Sequence, residues 1–373
     1  MKKIVDFIKA EVVLTVAVVL AVISMFFVVP SPVYADYINW HVLSVLLCLM
    51  IVMEGLKRHG VFSAIAGVLM RKVKSFSQLV CILVFLCFFS SMFITNDVAL
   101  ITFVPFALEV LKMAGKEKKM IAVIVLQTIA ANLGSMLTPI GNPQNLYLYD
   151  LAGYSLPKFL GIMASSCVGA FILLVLSCLW VTKGEEMDSI SFPAIQYWTK
   201  KRMVLTGVYI VLFFVSILVV ADVIPFAAAL IITVPVTLFM DRKTLKHVDY
   251  CLLFTFCGFF IFVGNMGNIQ SIAMFLERMM QGREFVVAIL TSQVISNVPA
   301  ALLLSGFTTD LKALLLGVNI GGLGTLIASM ASLISYKAFA KAYPEKRGKY
   351  MLWFTALNVA YLAVFILMYF LFY

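Results

Sequence analysis

The chain has 373 residues, 63% of them hydrophobic and 12% charged, with a net charge of +10 and a mean hydropathy of +1.06. Soluble domains carry roughly twice that share of charge, so the composition excludes a water-soluble fold and specifies an all-α polytopic membrane protein. The basic residues lie in short clusters between apolar runs instead of on one polar face, which argues against nucleic acid and for lipid headgroups and topology.

A membrane span needs about 20 apolar residues, and runs of roughly 10–14 mark re-entrant or interfacial pieces. After Lys2, Lys3 and Lys9, residues 11–30 read as a first span, and with no clear cleavage signal behind it we take it as permanent. Residues 40–56 form a second span ending at Lys57-Arg58-His59-Gly60. Residues 61–73, too short to cross and closing on Arg71, Lys72 and Lys74, predict an amphipathic surface helix. Residues 77–93 and 98–111 then flank Thr95-Asn96-Asp97, with Lys74 before them and Lys112, Lys116, Lys118 and Lys119 after. If basic clusters mark one face, this segment enters and leaves on that face, as a re-entrant helical hairpin with a polar tip inside the membrane.

Residues 120–149 cross with an interruption, Asn132-Leu-Gly-Ser-Met-Leu-Thr-Pro-Ile-Gly-Asn-Pro-Gln-Asn145, and residues 159–181 return. A polar link over 182–202 carries Glu185, Glu186 and Asp188 and ends in Lys200-Lys201-Arg202. One further span, 203–222, turns the second half upside down relative to the first. That half repeats the plan, with spans at 224–240 and 250–264, a turn at Gly264-Asn-Met-Gly-Asn268 and a short helix over 269–280. A hairpin over 285–309 bends at Ser296-Asn297-Val298, an interrupted crossing spans 311–334, and a last span covers 350–371.

The duplication is also written in the motifs. Without gaps, Asn132, Gly134, Thr138, Ile140 and Leu146 fall on Asn319, Gly321, Thr325, Ile327 and Leu333, and Phe93-Ile-Thr-Asn falls on Val294-Ile-Ser-Asn. The chain therefore divides into a first inverted repeat (1–181), a link with its connecting span (182–222) and a second inverted repeat (223–373). With Lys158, Arg278, Arg283 and Lys312 alone outside, the rest of the 28 Lys and Arg residues lie on the cytoplasmic side. That places the N-terminus inside and the C-terminus outside.

In hydrocarbon an unpaired backbone N–H or C=O costs several kcal/mol, so irregular backbone at membrane depth needs protein, an ion or a water-filled cavity to satisfy it. Inverted repeats with broken helices are a transporter architecture, with ion sites where the broken ends meet. The candidate ion-binding residues are Thr95, Asn96 and Asp97 at the first tip, and Asn132, Gly134, Thr138, Pro139, Gly141 and Asn142 at the first break. Their counterparts are Ser296, Asn297 and Pro299 at the second tip, and Asn319, Gly321, Gly324 and Thr325 at the second break. Asn supplies donors and an acceptor, Thr and Ser supply hydroxyls, and Gly permits close backbone approach.

Asp97 is the sharpest of these: an intramembrane carboxylate reads as a cation or proton ligand, the compatible alternative being an acid at the N-terminus of the helix it opens. Asn96, Asp97 and Asn297 are the candidate sodium ligands, and no cofactor beyond coupling sodium or protons is expected. Elsewhere, Glu54 should pair with Lys57 or Arg58 and Glu109 with Lys112, while Gln127 and Gln293 either line the site or join helices. The seven cysteines all lie in apolar runs and read as buried thiols. An enzyme would need a zinc motif, a nucleophile elbow or a carboxylate dyad, and none is present.

At these residues the chain resembles the ion transporter superfamily of divalent-anion/sodium symporters, citrate transporters, arsenite permeases and NhaD-type antiporters. Thr95-Asn96-Asp97 and Ser296-Asn297-Val298 look like its Ser-Asn-Thr tip signatures, while Thr138-Pro-Ile-Gly-Asn-Pro-Gln-Asn145 and Asn319-Ile-Gly-Gly look like its helix breaks. The resemblance implies a scaffold domain, an elevator-type transport domain carrying both hairpins, alternating access and a homodimer. Val298 departs from the signature by removing a hydroxyl, and Asp97 by adding a charge. Both changes shift the expectation from dicarboxylate recognition towards a cation that couples to transport or is itself carried.

Overall fold

A computed structural model describes residues 11–71, 73–186 and 199–372. The basic residues Lys2, Lys3, Lys9 and Lys72, and the middle of the polar link with Asp188, lie outside the described residues.

The first half comprises α1 (Val12–Met25), the single turn α2 (Tyr34–Tyr37), α3 (Trp40–Arg58), α4 (Val61–Met70), α5 (Phe76–Ile94), α6 (Asn96–Met113), α7 (Met120–Ser135), α8 (Pro143–Leu151) and α9 (Leu156–Thr182). The second half continues with α10 (Lys200–Val220), α11 (Phe226–Met240), α12 (Arg242–Leu245), α13 (Tyr250–Gly267), α14 (Gln270–Met280), α15 (Glu284–Ile295), α16 (Asn297–Ser305), α17 (Leu311–Ile320), α18 (Met330–Ala342) and α19 (Arg347–Phe372). Among the described residues six helical stretches are long and apolar enough to cross a membrane: α3, α5, α9, α10, α13 and α19 with the short 3-10 turn before it. The protein is an all-helical, multi-pass membrane protein.

Differences from the sequence reading fall at helix ends. The first apolar run is a 14-residue helix rather than a full span, ending at Met25 ahead of Pro30 and Pro32, whose rings cannot extend it. The short helices expected at the surface appear as α4 and α14. Each half has one interrupted helix pair: α7 stops at Ser135 and α8 starts at Pro143, α17 stops at Ile320 and α18 starts at Met330.

α7 has every one of its 16 residues buried. A helix apolar on all sides belongs at the centre of a bundle, and α5, α6, α9, α18 and α19 all pack on it. α17 repeats the pattern, buried throughout from Ala313 to Ile320 and packed on α15 as α7 is on α5. The second arms cross between halves: α6 packs on α18, and α16 on α8. Outside this bundle α3 packs on α10 and α11, and α13 on α1.

Charged ends are tied off at the periphery. Lys57 and Glu54 pair at 2.6 Å as the spacing predicts, whereas Arg58 reaches the Thr244 hydroxyl at 2.9 Å and Asp241 at 3.6 Å. His59 Nε2 lies 2.9 Å from Asp241 and the Tyr209 hydroxyl 3.2 Å, so one carboxylate joins α3, α10 and α12. Burial pushes the Asp241 carboxyl up, but the Thr244 hydroxyl, His59 and Arg58 outweigh it and hold it below the usual carboxylate range. Glu109 does not pair with Lys112 among the described residues. Both are exposed, and two solvated side chains gain little by pairing. The cysteines are free, buried or half-buried.

Close packing at the breaks is made possible by glycine. A Cβ on Gly134 would lie 2.1 Å from the Phe88 carbonyl oxygen and 2.7 Å from Ser91 Oγ; one on Gly321 would lie 2.9 Å from Ser292 Oγ and 3.0 Å from Ile289 Cα. Gly134→Ala should therefore cost about 1–3 kcal/mol, as overpacking does, and lower the melting temperature in detergent by several degrees. Gly207→Ala, inside α10 where a Cβ meets nothing within 4 Å, should leave it unchanged or raise it slightly, alanine being the better helix former. Equal melting of the two variants would refute the packing argument.

Candidate ion-binding site

Each interrupted pair turns on one hydroxyl residue with unusual backbone. Thr95, between α5 and α6, has φ 65° and ψ 149°, and Ser296, between α15 and α16, has φ 76° and ψ 155°. Only Asp222 joins them as a non-glycine residue with positive φ among the described residues. Such conformations cost about 1–3 kcal/mol and persist where the surroundings impose them. Here they reverse the chain so that α6 and α16 begin at Asn96 and Asn297, both buried. Pro299 sits in the first turn of α16, where its missing N–H leaves no helical bond unmade.

The breaks hold each other through two asparagines. Asn132 Oδ1 accepts from Ser329 Oγ at 3.0 Å, and its Nδ2 donates to Ser332 Oγ at 3.3 Å. Asn319 Oδ1 accepts from Asn142 Nδ2 at 3.1 Å, and its Nδ2 donates to Asn145 Oδ1 at 2.7 Å. In the gap-free register of the motifs, Ser329 and Ser332 stand opposite Asn142 and Asn145. Each asparagine thus makes the same pair of bonds to the other half's break. Asn96 completes the first cluster by donating to Asn132 Oδ1 at 3.1 Å.

The freed backbone is satisfied locally. Asn145 Nδ2 lies within 3.1–3.3 Å of the Ser135, Met136 and Thr138 carbonyls. At the second break Gln293 does that work, donating to the Gly321 and Leu323 carbonyls at 2.9 and 3.0 Å and accepting from the Thr325 amide at 2.8 Å. The Thr138 hydroxyl donates to the Met92 carbonyl, and the Thr325 hydroxyl to the Gln293 carbonyl at 3.0 Å. Met92 and Gln293 are themselves opposite one another in register. Pro139 opens the short 3-10 turn that ends at Gly141, where a Cβ would stand 2.0 Å from the Ser135 carbonyl oxygen. Gly324 has φ 103° and lies against Gln293.

In front of the first cluster lies a cavity of about 260 Å³, into which Thr95, Asp97 and Asn142 project. α3 supplies an apolar wall with Leu46, Leu49 and Met53, and Glu54, Lys57, His247 and Asp249 add charged and polar groups to the lining. Asp97 Oδ1 is buried without any hydrogen-bond partner. Its side chain does not cap α6: the Asp97 amide goes to Asn96 Oδ1 at 3.0 Å instead. Asp97 still stands in the first turn, where the helix terminus favours negative charge.

The predicted residues thus fall into groups. Thr95, Asp97 and Asn142 meet at the cavity. Asn96, Asn132 and Asn319 form the buried amide network behind it, and Gly134, Thr138, Pro139, Gly141, Gly321 and Gly324 shape the breaks. Ser296 and Asn297 cap the second break, bonding the Ala328 carbonyl at 3.4 Å through a hydroxyl and at 2.9 Å through an amide N–H. Thr325 is exposed and spends its hydroxyl on Gln293. Gln127 joins helices, donating to the Leu83 carbonyl at 3.1 Å. Ser329, Ser332 and Gln144 escaped the sequence argument, Gln144 being buried with both amide atoms unpartnered. The repeat register already spans both serines, but they fall on Asn142 and Asn145, residues of another type, and so carry no matched identity to mark them.

The citrate transporter family model matches residues 4–311. The chain belongs to the citrate transporter family. It is a membrane transporter of that permease type, in a family of carriers and not of enzymes. Similar proteins include the inner membrane protein YbiR of Escherichia coli K12, 30% identical over 305 residues and 80% of each chain. The uncharacterized transporter MJ0456 of Methanocaldococcus jannaschii is 31% identical over 301 residues, covering 80% of this chain and 81% of its own. A shorter match, 32% identical over 170 residues, covers 41% of this chain and 34% of the silicon efflux transporter LSI3 of rice.

If Asn142 and Asn319 share a buried hydrogen bond, Asn142→Ala and Asn319→Ala should not add. A double-mutant cycle on unfolding in detergent should return a coupling of about 0.5–3 kcal/mol. Additive losses would mean that the two breaks are not joined there.

Proposed function

We propose that this citrate transporter family member is a secondary active transporter that moves a small ion across the cell membrane by alternating access, with sodium or proton coupling through Asp97. The observation that carries this is the Asp97 carboxylate, unpartnered on one oxygen and turned into a cavity beside Thr95 and Asn142. A carboxylate kept inside a membrane is costly and is normally offset by a cation, a proton or water.

The architecture in this reading is an inverted repeat with re-entrant hairpins α5–α6 and α15–α16. The matched bonds of Asn132 and Asn319 support it, as do the matched backbone turns at Thr95 and Ser296. The hairpins, breaks, α9 and α19 form the moving body; α1, α3, α10, α11 and α13 form the scaffold, against whose α3 face the cavity opens. With the clusters around Lys57 and Lys119 on the cytoplasmic side, the N-terminus lies inside, the C-terminus outside, and the cavity faces the cytoplasm. By family resemblance two chains form a homodimer, and YbiR's name supports the inner membrane as location.

The lining bears on the cargo. Its single Lys or Arg, Lys57, is already bound to Glu54, while Asp97, Glu54 and Asp249 supply three carboxylates. A tricarboxylate such as citrate would meet repulsion there, so the carried ion is a small one of low charge. The same imbalance favours a second reading, cation/proton antiport of the NhaD type.

Reconstituted protein should take up its ion only under an imposed sodium or pH gradient, and Asp97→Asn should reduce that flux to the protein-free background. Full gradient-driven flux in Asp97→Asn would remove Asp97 from the mechanism. Sodium gradients that move protons without any added anion would select antiport; dependence on an added anion would select symport.

A further inference from the structure

A second cavity, of about 360 Å³, shares no lining residue with the one at Asp97. It lies where three helices meet at one end of the bundle. Lys118 and Lys119 enter it from the start of α7, Trp180 from the last turn of α9, and Lys349 and Trp353 from the first turns of α19. The two tryptophan rings stand 6.1 Å apart, and Trp180 is 60% exposed.

The lysines are not equally committed. Lys119 Nζ bonds the Val181 carbonyl at 2.9 Å and stands 3.4 Å from Glu185, whose other oxygen is taken by Lys116 at 2.6 Å. Lys118 and Lys349 have no carboxylate within ion-pair distance among the described residues. The cavity therefore carries surplus positive charge that no described residue neutralises.

Its surroundings say where the counter-charge comes from. From Trp180 the outer face of α9 continues through exposed Leu179 and Leu176, and beside Trp353 on α19 Leu352 is 71% exposed. These apolar side chains belong against acyl chains. Tryptophan concentrates at the headgroup level of membranes, and basic pockets between transmembrane helices hold anionic headgroups. Unpaired ammonium groups, tryptophan and an acyl-facing surface thus occur in order from the helix ends towards the membrane.

We propose that this cavity is a binding site for an anionic phospholipid, with Lys118 and Lys349 on the phosphodiester and Trp180 and Trp353 against the glycerol and first acyl carbons. A bound lipid would join the start of α7, the central buried helix, to α9 and α19. A free phosphate would satisfy the lysines alone and leave the tryptophans wet.

The purified full chain in detergent should melt several degrees higher with phosphatidylglycerol than with phosphatidylcholine, and inorganic phosphate should give no shift. The double variant Lys118→Gln/Lys349→Gln should fold, melt normally without lipid, and bind phosphatidylglycerol at least about tenfold more weakly. A double substitution at Lys200 and Lys201 should bind as the parent does. In a Trp40→Phe/Trp198→Phe background, brominated phosphatidylglycerol should quench the remaining fluorescence more than brominated phosphatidylcholine. Equal quenching by the two lipids, an undiminished lipid shift in the Lys118/Lys349 variant, or a shift by inorganic phosphate as large as that by phosphatidylglycerol would each overturn the lipid site.

Discussion

Everything at the centre of this protein depends on satisfying main-chain groups where a helix stops inside the bilayer. Two helices stop, α7 at Ser135 and α17 at Ile320, and each leaves carbonyls that water cannot reach. The first half answers with Asn145, the second with Gln293, residues of different length reaching from different elements to the carbonyls of their breaks, of which Met136 and Leu323 stand opposite one another in register. Ser332, which stands where Asn145 does in the first half, is too short for the work, and Gln293 replaces it from the hairpin arm. The chemistry was kept while the residue that performs it moved.

The crossed bonds of Asn132 and Asn319 turn that local solution into a global one. Because each asparagine is satisfied by the other half's break, neither break is complete alone, and the two halves must fold against each other. A buried network of this kind is stable only when every member is paired. That ties the two breaks to one another as a single buried unit, against which α3 contributes the apolar wall of the cavity.

Against this filled network Asp97 stands out by being unspent. In the register of the tip motifs its opposite number is Val298, buried and apolar, so the two tips match in backbone and differ in charge. One tip carries the electrostatics and the other supports the break through Ser296 and Asn297. An intramembrane carboxylate left without a partner is costly, and its charge can be offset by a proton or a cation.

The sequence by itself determined the membrane environment, the helix ends at Thr95 and Ser296, the two helix breaks and the motif register that relates them. Long apolar runs and repeated Asn, Gly and Thr positions report local hydrophobicity and backbone need, which are properties of short segments. The Glu54–Lys57 pair was legible for the same reason, being three residues apart on one helix. Only the tertiary structure decided that Asn132 answers Ser329 and Ser332, that Gln293 and not a break residue closes the second break, that Arg58 goes to Asp241, and that a cavity opens at the first tip. Those outcomes depend on which distant helices touch, and the packing of a helix such as α7, buried on every side, has no periodicity from which its neighbours can be read.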